Sequence, residues 1–129
     1  MERDKLNDKN WKLTKKLNKK QNSKYARYAA EQVAYLCQEF PDGFKINPVD
    51  YMVHMNAYNN ATKAQEYATL IANANNNTEA ASYAALAVDS AAAAAYWTII
   101  DNSYKSAAAV INMFQKILNQ GETLIKKGR

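Results

Sequence analysis

At 129 residues, 48% of them hydrophobic, the chain is long enough for one domain with its own core and too apolar for global disorder. One cysteine excludes an internal disulfide or a thiolate zinc cluster, three glycines exclude a glycine-rich phosphate loop, and one histidine removes most histidine-dependent chemistry. Charge is unevenly divided: residues 1–27 hold ten Lys/Arg against three acids, a balance of +7, whereas residues 28–129 hold seven against nine, a balance of −2.

Residues 1–22 therefore read as a basic, partly helical N-terminal arm, an asymmetry typical of interaction segments. Leu6, Leu13 and Leu17 share one helical side with Trp11 nearby, and lysines occupy the rest. That apolar stripe is thin, so the arm is expected to be only conditionally ordered. From Ser23, a plausible N-cap, Tyr25, Tyr28, Ala29, Val33, Leu36 and Phe40 follow helical spacing until Pro41-Asp42-Gly43 ends the run. Asn47-Pro48 is a helix-start signature. It opens a predicted helix over 48–59, followed by another over 61–75.

The triplet Asn75-Asn76-Asn77 interrupts the pattern, and Thr78 is the predicted cap of the alanine-rich helix that follows to about residue 100. Alanine is the strongest helix former, and five stand in a row from Ala91 to Ala95. This helix is expected at the bundle centre, with neighbours packed around Tyr83, Leu86, Tyr96, Trp97, Ile99 and Ile100. Its length would span a bilayer, but Asp89 at its middle would cost about 2.5–3.5 kcal/mol, so no membrane span is expected. Residues 101–103 form either a tight turn, the favoured reading, or a smooth continuation, and a last helix then runs to Asn119 with Gly121 as its stop. The tail, 122–129, is short and basic, and is expected either to dock through Leu124 and Ile125 or to fray. No stretch alternates as a strand does. The expected architecture is an all-α, compact bundle of about five helices over 23–121, flanked by the basic N-terminal arm and the tail.

Catalytic chemistry finds little footing in this inventory. His54, one turn after Asp50, reads as a hydrogen-bonded boundary residue, and Cys37, among Val33, Leu36 and Phe40, as a small buried apolar one. Asp89 is the only charge between Glu79 and Asp101. It is either a solvated residue on the helix's one wet stripe or a cleft carboxylate that receives a cationic group. The nine tyrosines serve equally as core fillers with a polar handle and as interface anchors. The expected partner-binding set is Trp11, Lys12, Lys15, Lys16, Lys19, Lys20, Lys24, Arg27 and Asp89. Such an arm would dock an acidic protein, or hold phosphates with Trp11, Tyr25 and Tyr28 stacking on bases.

One stretch also carries a likeness. Ala30-Glu31, Val33, Glu39, the Pro41-Asp42 turn and Pro48 opening the next helix, followed by alanine-dense helices over 61–110, resemble the layout of the alanine-rich immunity proteins of bacterial polymorphic-toxin systems. The resemblance implies a small non-enzymatic protein that binds and blocks a toxin or other effector. The sequence thus leads to a non-catalytic binding protein, an inhibitor or immunity-type factor that occludes a macromolecular target. A nucleic-acid-binding accessory protein is the second expectation. Neither needs a cofactor or a metal. No export pattern opens the chain, and a cytoplasmic location is expected.

Overall fold

The alanine-rich segment is the spine of the molecule in a computed structural model that describes residues 2–37, 48–98 and 104–127, with side chains over 4–37, 52–97 and 108–127. Five α-helices follow in order: α1 (Glu2–Lys16), α2 (Lys19–Gln32), α3 (Pro48–Leu70), α4 (Asn77–Thr98) and α5 (Tyr104–Lys126). Single 3-10 turns, Ala34–Leu36 and Ile71–Asn73, follow α2 and α3. Among the described residues there is no strand. The all-α bundle holds.

Two adjacent stripes of α4 are buried: Ala80, Ala84, Ala87, Ala91 and Ala94 along one, Ala81, Ala85, Val88, Ala92 and Ala95 along the other. All four remaining helices pack against α4, α3 most extensively. Helix-to-helix distance depends on the side chains at the contact, and alanine sets the smallest non-glycine value. The large residues of α4 take a different place from the one expected. Tyr83, Leu86 and Trp97 are only half-buried and Tyr96 is 40% exposed, because the alanine stripes already fill the narrow seams. Ile99 and Ile100 lie outside the described residues.

The basic N-terminal segment is not an arm. As α1 it packs on α4 and α5, with Leu6, Leu13 and Leu17 buried. Two polar residues on the same side, Asn10 and Thr14, are buried as well, so the buried face is wider than its leucines suggest. Asn10 Nδ2 donates to the carbonyl of Ala85 on α4 at 3.0 Å, and Asn10 Oδ1 accepts from the hydroxyl of Tyr25 on α2 at 2.8 Å. Thr14 Oγ1 donates to its own helix, at the carbonyl of Trp11. With each of these groups partnered, burying them costs little. No domain boundary falls at residue 22, since α2 runs through it.

Several helix ends also differ from the reading of local signals. The cap of α2 is Asn18, not Ser23: Asn18 Oδ1 accepts from Gln21 N and Gln21 Oε1 accepts from Asn18 N, both at 2.9 Å, a reciprocal capping box. Helix α2 ends at Gln32, leaving Cys37 half-buried beyond the 3-10 turn and packed against the core. The expected helices over 48–59 and 61–75 are one, because no Gly or Pro separates them and Asn60 Nδ2 donates to the Asn56 carbonyl at 2.8 Å. Asn76, rather than Thr78, caps α4 by accepting from Glu79 N at 2.8 Å. The expected turn at 101–103 lies outside the described residues.

Gly121 does not stop α5. It is buried inside the helix, where a Cβ would sit 2.5 Å from Leu13 Cδ2 and 2.9 Å from Tyr25 Cε1. Glycine is there because α1, α2 and α5 converge on that point. The last turns then continue, with Leu124 buried and Gln21 Nε2 donating to the Leu124 carbonyl at 3.1 Å. Asn22 does the same for α1, its Nδ2 donating to the carbonyls of Thr14 and Leu17 at 3.0 and 3.2 Å. The first turn of α2 thus satisfies carbonyls at the ends of both neighbours, which helical geometry alone leaves open.

Two outcomes follow from this junction. In an ordinary helix interior, glycine to alanine gains about 0.5–1 kcal/mol. Gly121→Ala is instead expected to lose about 1–3 kcal/mol in urea unfolding, because the added methyl overpacks the contact with Leu13 and Tyr25. Unchanged or increased stability would contradict the close approach.

The second outcome concerns pH. Burial pushes the Tyr25 hydroxyl well above the ordinary tyrosine range, and the Glu122 carboxylate adds to the effect. A raised folded-state value means that the Tyr25 contribution is complete below the unfolded tyrosine pKa of about 10 and is lost as pH climbs above it. Tyr25→Phe is therefore expected to be less stable than the parent at neutral pH, through the orphaned Asn10 amide oxygen. The gap should close as unfolding is measured at increasing pH above about 10. A gap that stays constant would show Tyr25 ionising freely in the fold.

Candidate functional site

The capping contacts draw five helix ends to one pole. They are the C-terminal ends of α1, α3 and α5 and the N-terminal ends of α2 and α4. Lys19 is the clasp between them: its backbone N–H donates to Asn77 Oδ1 at 2.9 Å, and its Nζ donates to the Ala74 carbonyl at 3.1 Å. Lys19, one of the expected partner-binding residues, is therefore half-buried and holds α2 to the start of α4.

Among the described residues, three shallow depressions ring this pole. The first, about 230 Å³, lies between α1 and α4, with Trp11 and Lys15 on one side and Asn77, Thr78 and Ser82 on the other. Trp11 is half-buried and Lys15 exposed. The second, about 400 Å³, runs between α1 and α5 and is lined by Lys9, Lys12, Leu13, Lys16, Glu122, Ile125 and Lys126. The third, also about 400 Å³, lies where α2 meets the 3-10 turn after α3, with Lys19, Lys20, Lys24 and Arg27 on the α2 side and Ile71 and Ala72 opposite.

Eight of the nine expected partner-binding residues, all but Asp89, line this ring. Lys12, Lys15, Lys16, Lys20, Lys24 and Arg27 are exposed. The Arg27 Nε–H also donates to the Ser23 carbonyl one turn earlier at 3.4 Å, which lays the side chain along α2. Asp89 is elsewhere. It is half-buried in mid-α4, in a separate depression of about 260 Å³ with Asn60, Lys63 and Tyr67 of α3 and Leu86, Ser90 and Ala93 of its own helix. It shares no lining residue with the basic ring, so the set expected from sequence divides into two places.

Sequence reasoning missed Lys126 as a binding residue and assigned Ile125 only to docking of the tail; the extension of α5 past Gly121 brings both beside α1. It also passed over Lys9 as a binding residue. The signal was present: Lys9, Lys12 and Lys16 stand at i, i+3 and i+7, one face of a helix. His54 is half-buried on α3, away from the ring. Stacking by Tyr25 is ruled out by its complete burial, and Tyr28 is packed half-buried against the core.

The ring consists mainly of ammonium groups on flexible stems over shallow relief. Charges so placed are screened beyond about 8 Å at physiological ionic strength, yet they act together on an approaching polyanionic surface. Among the described residues, no group of three or more His, Cys, Asp or Glu is placed to hold a metal ion. Among the same residues, no helix is long and apolar enough to cross a membrane. No family model matches this chain, and no curated protein or solved structure matches it.

Proposed function

We propose that this chain is a non-catalytic helical binding protein, an inhibitor or immunity-type factor that occludes a macromolecular target by seating its basic pole on an acidic surface. The observation that supports this most is the pole's construction. Cations from α1, α2 and α5 surround three open depressions at one end of the bundle, on helices fixed to one another by buried side-chain hydrogen bonds. Rim charges of this kind chiefly raise the rate of association and select against basic surfaces. The rigid bundle behind them supplies the steric block. A preorganised surface loses little side-chain and backbone freedom on binding. The reading agrees with the likeness to alanine-rich immunity proteins and places the protein in the cytoplasm with its target.

A protein target is favoured over nucleic acid by the type of cation. Among the described residues, all but one of the ring's positive residues are lysines, point charges without the planar fork that recognises phosphate or a base edge in bidentate fashion. One observation favours the second reading, an accessory protein that binds nucleic acid. Trp11 stands beside Lys15 in the α1–α4 depression, and an aromatic ring next to a cation is the usual platform for an unstacked base.

The test is capture from host lysate with and without nuclease, by the parent and by the variant Lys12→Glu/Lys15→Glu/Lys20→Glu/Lys24→Glu. All four lysines are exposed, so the helical circular dichroism and melting of the body should be preserved. A stoichiometric protein that survives nuclease, with recovery reduced about tenfold or more in the variant, is the expected result. Recovery that collapses on nuclease treatment, with affinity for single strands falling steeply as salt rises, would transfer the function to nucleic acid. Equal capture by parent and variant would refute both readings.

A further inference from the structure

The three depressions are not equivalent, and one of them has the chemistry of a specific occupant. The α1–α5 groove combines a row of cations with an apolar floor. Lys9, Lys12 and Lys16 run along its α1 wall over about 10 Å, seven residues at the helical rise, and Lys126 faces them from α5. Ile125 is 37% exposed between them, whereas the adjacent Leu124 is buried in the core at 8%. A single exposed isoleucine is ordinary on a protein surface. This one is ordinary in exposure but not in position, because it lies inside a groove of about 400 Å³ among four lysines, with Glu122 the single acid among the described lining residues.

We infer that this groove is the docking site for an acidic amphipathic helix of the protein target. Its leucine-like side chains would pack on Ile125 and the edge of Leu13, and its carboxylates would pair with Lys9, Lys12, Lys16 and Lys126. The inference rests on the occlusion reading above and specifies where the target is gripped. Three features of the groove select this partner. The spacing of the α1 lysines matches acids at i, i+3 or i+4, and i+7 on a facing helix, the register in which amphipathic helices present one face to a groove. Its floor needs an apolar anchor, which a phosphodiester backbone lacks. Among the described residues no aromatic lines it, so these residues offer no platform on which a base could stack. Anchoring by a central apolar residue with a charged rim is also the usual division of labour in protein interfaces, where the rim adds rate and the anchor adds affinity.

The probes are three labelled molecules read by fluorescence anisotropy against the full chain. One is a helical peptide of about four turns with leucine along one face and glutamate elsewhere, long enough to be helical when bound. The second has its leucines replaced by serine, and the third is an oligothymidylate of equal charge. The leucine–glutamate peptide is expected to bind best. Its affinity should fall about tenfold or more with Ile125→Ser, a surface change that spares the core, and likewise with the leucine-to-serine peptide. Lys12→Glu/Lys126→Glu should weaken it and flatten its salt dependence.

Equal binding of the serine peptide or the oligothymidylate would overturn the inference, as would indifference to Ile125→Ser or no peptide binding at all. The groove inference and the occlusion reading fail separately. If Ile125→Ser captures the nuclease-resistant partner as well as the parent does, while the four-lysine reversal loses it, the pole grips its target but not through this groove.

Discussion

The fold and the surface it presents both depend on one buried amide. Asn10, fully buried, donates to the Ala85 carbonyl on α4 and accepts from the Tyr25 hydroxyl on α2. A buried polar group without partners costs on the order of 1–3 kcal/mol, so sliding or rotating α1 would leave the amide and the Tyr25 hydroxyl unsatisfied together. Apolar packing alone would tolerate such a shift more easily, because alanine and leucine seams are forgiving of register. The hydrogen bonds are not. They fix which face of α1 turns inward, and therefore that Lys9, Lys12 and Lys16 line the outer groove.

Around that pin the helices come together by subtraction of side-chain volume. On α4 the alanine stripes let α1, α2 and α3 lie close, and on α5 Gly121 removes the last methyl where Leu13 and Tyr25 press in. Tyr25 is thus held from two directions, its ring against Gly121 and its hydroxyl against Asn10. The first turn of α2 completes the junction by capping the ends of α1 and α5 through Asn22 and Gln21. These contacts make the basic pole a rigid element of the bundle.

Much of the fold was legible because its signals are local. The alanine run, the Asn47-Pro48 start and the asparagine-rich break before α4 each depend on a few neighbouring residues. What escaped reading is non-local. Asn10 and Thr14 look polar in sequence and so seemed to thin the stripe of α1, but their partners lie on other turns and other helices. Gly121 carries the ordinary mark of a helix stop, and only the approach of α1 and α2 reveals its other use. The candidate surface divides in the same way. The lysines of α1 and α2 were plain from composition, whereas the contribution of Ile125 and Lys126 exists only because α5 passes Gly121 and returns beside α1.

If α1 is an integral wall of the bundle, its backbone must open only when the bundle opens. Native-state hydrogen exchange of the full chain, followed amide by amide against low denaturant, tests this directly. Interior amides of α1 near Asn10, Leu13 and Thr14 should exchange with the same free energy and denaturant dependence as those at Ala84 to Ala92 in α4. Exchange of the α1 amides through small local openings, far faster than α4 and insensitive to denaturant, would mean that the basic segment is a loosely held arm. The groove between α1 and α5 would then have no fixed wall.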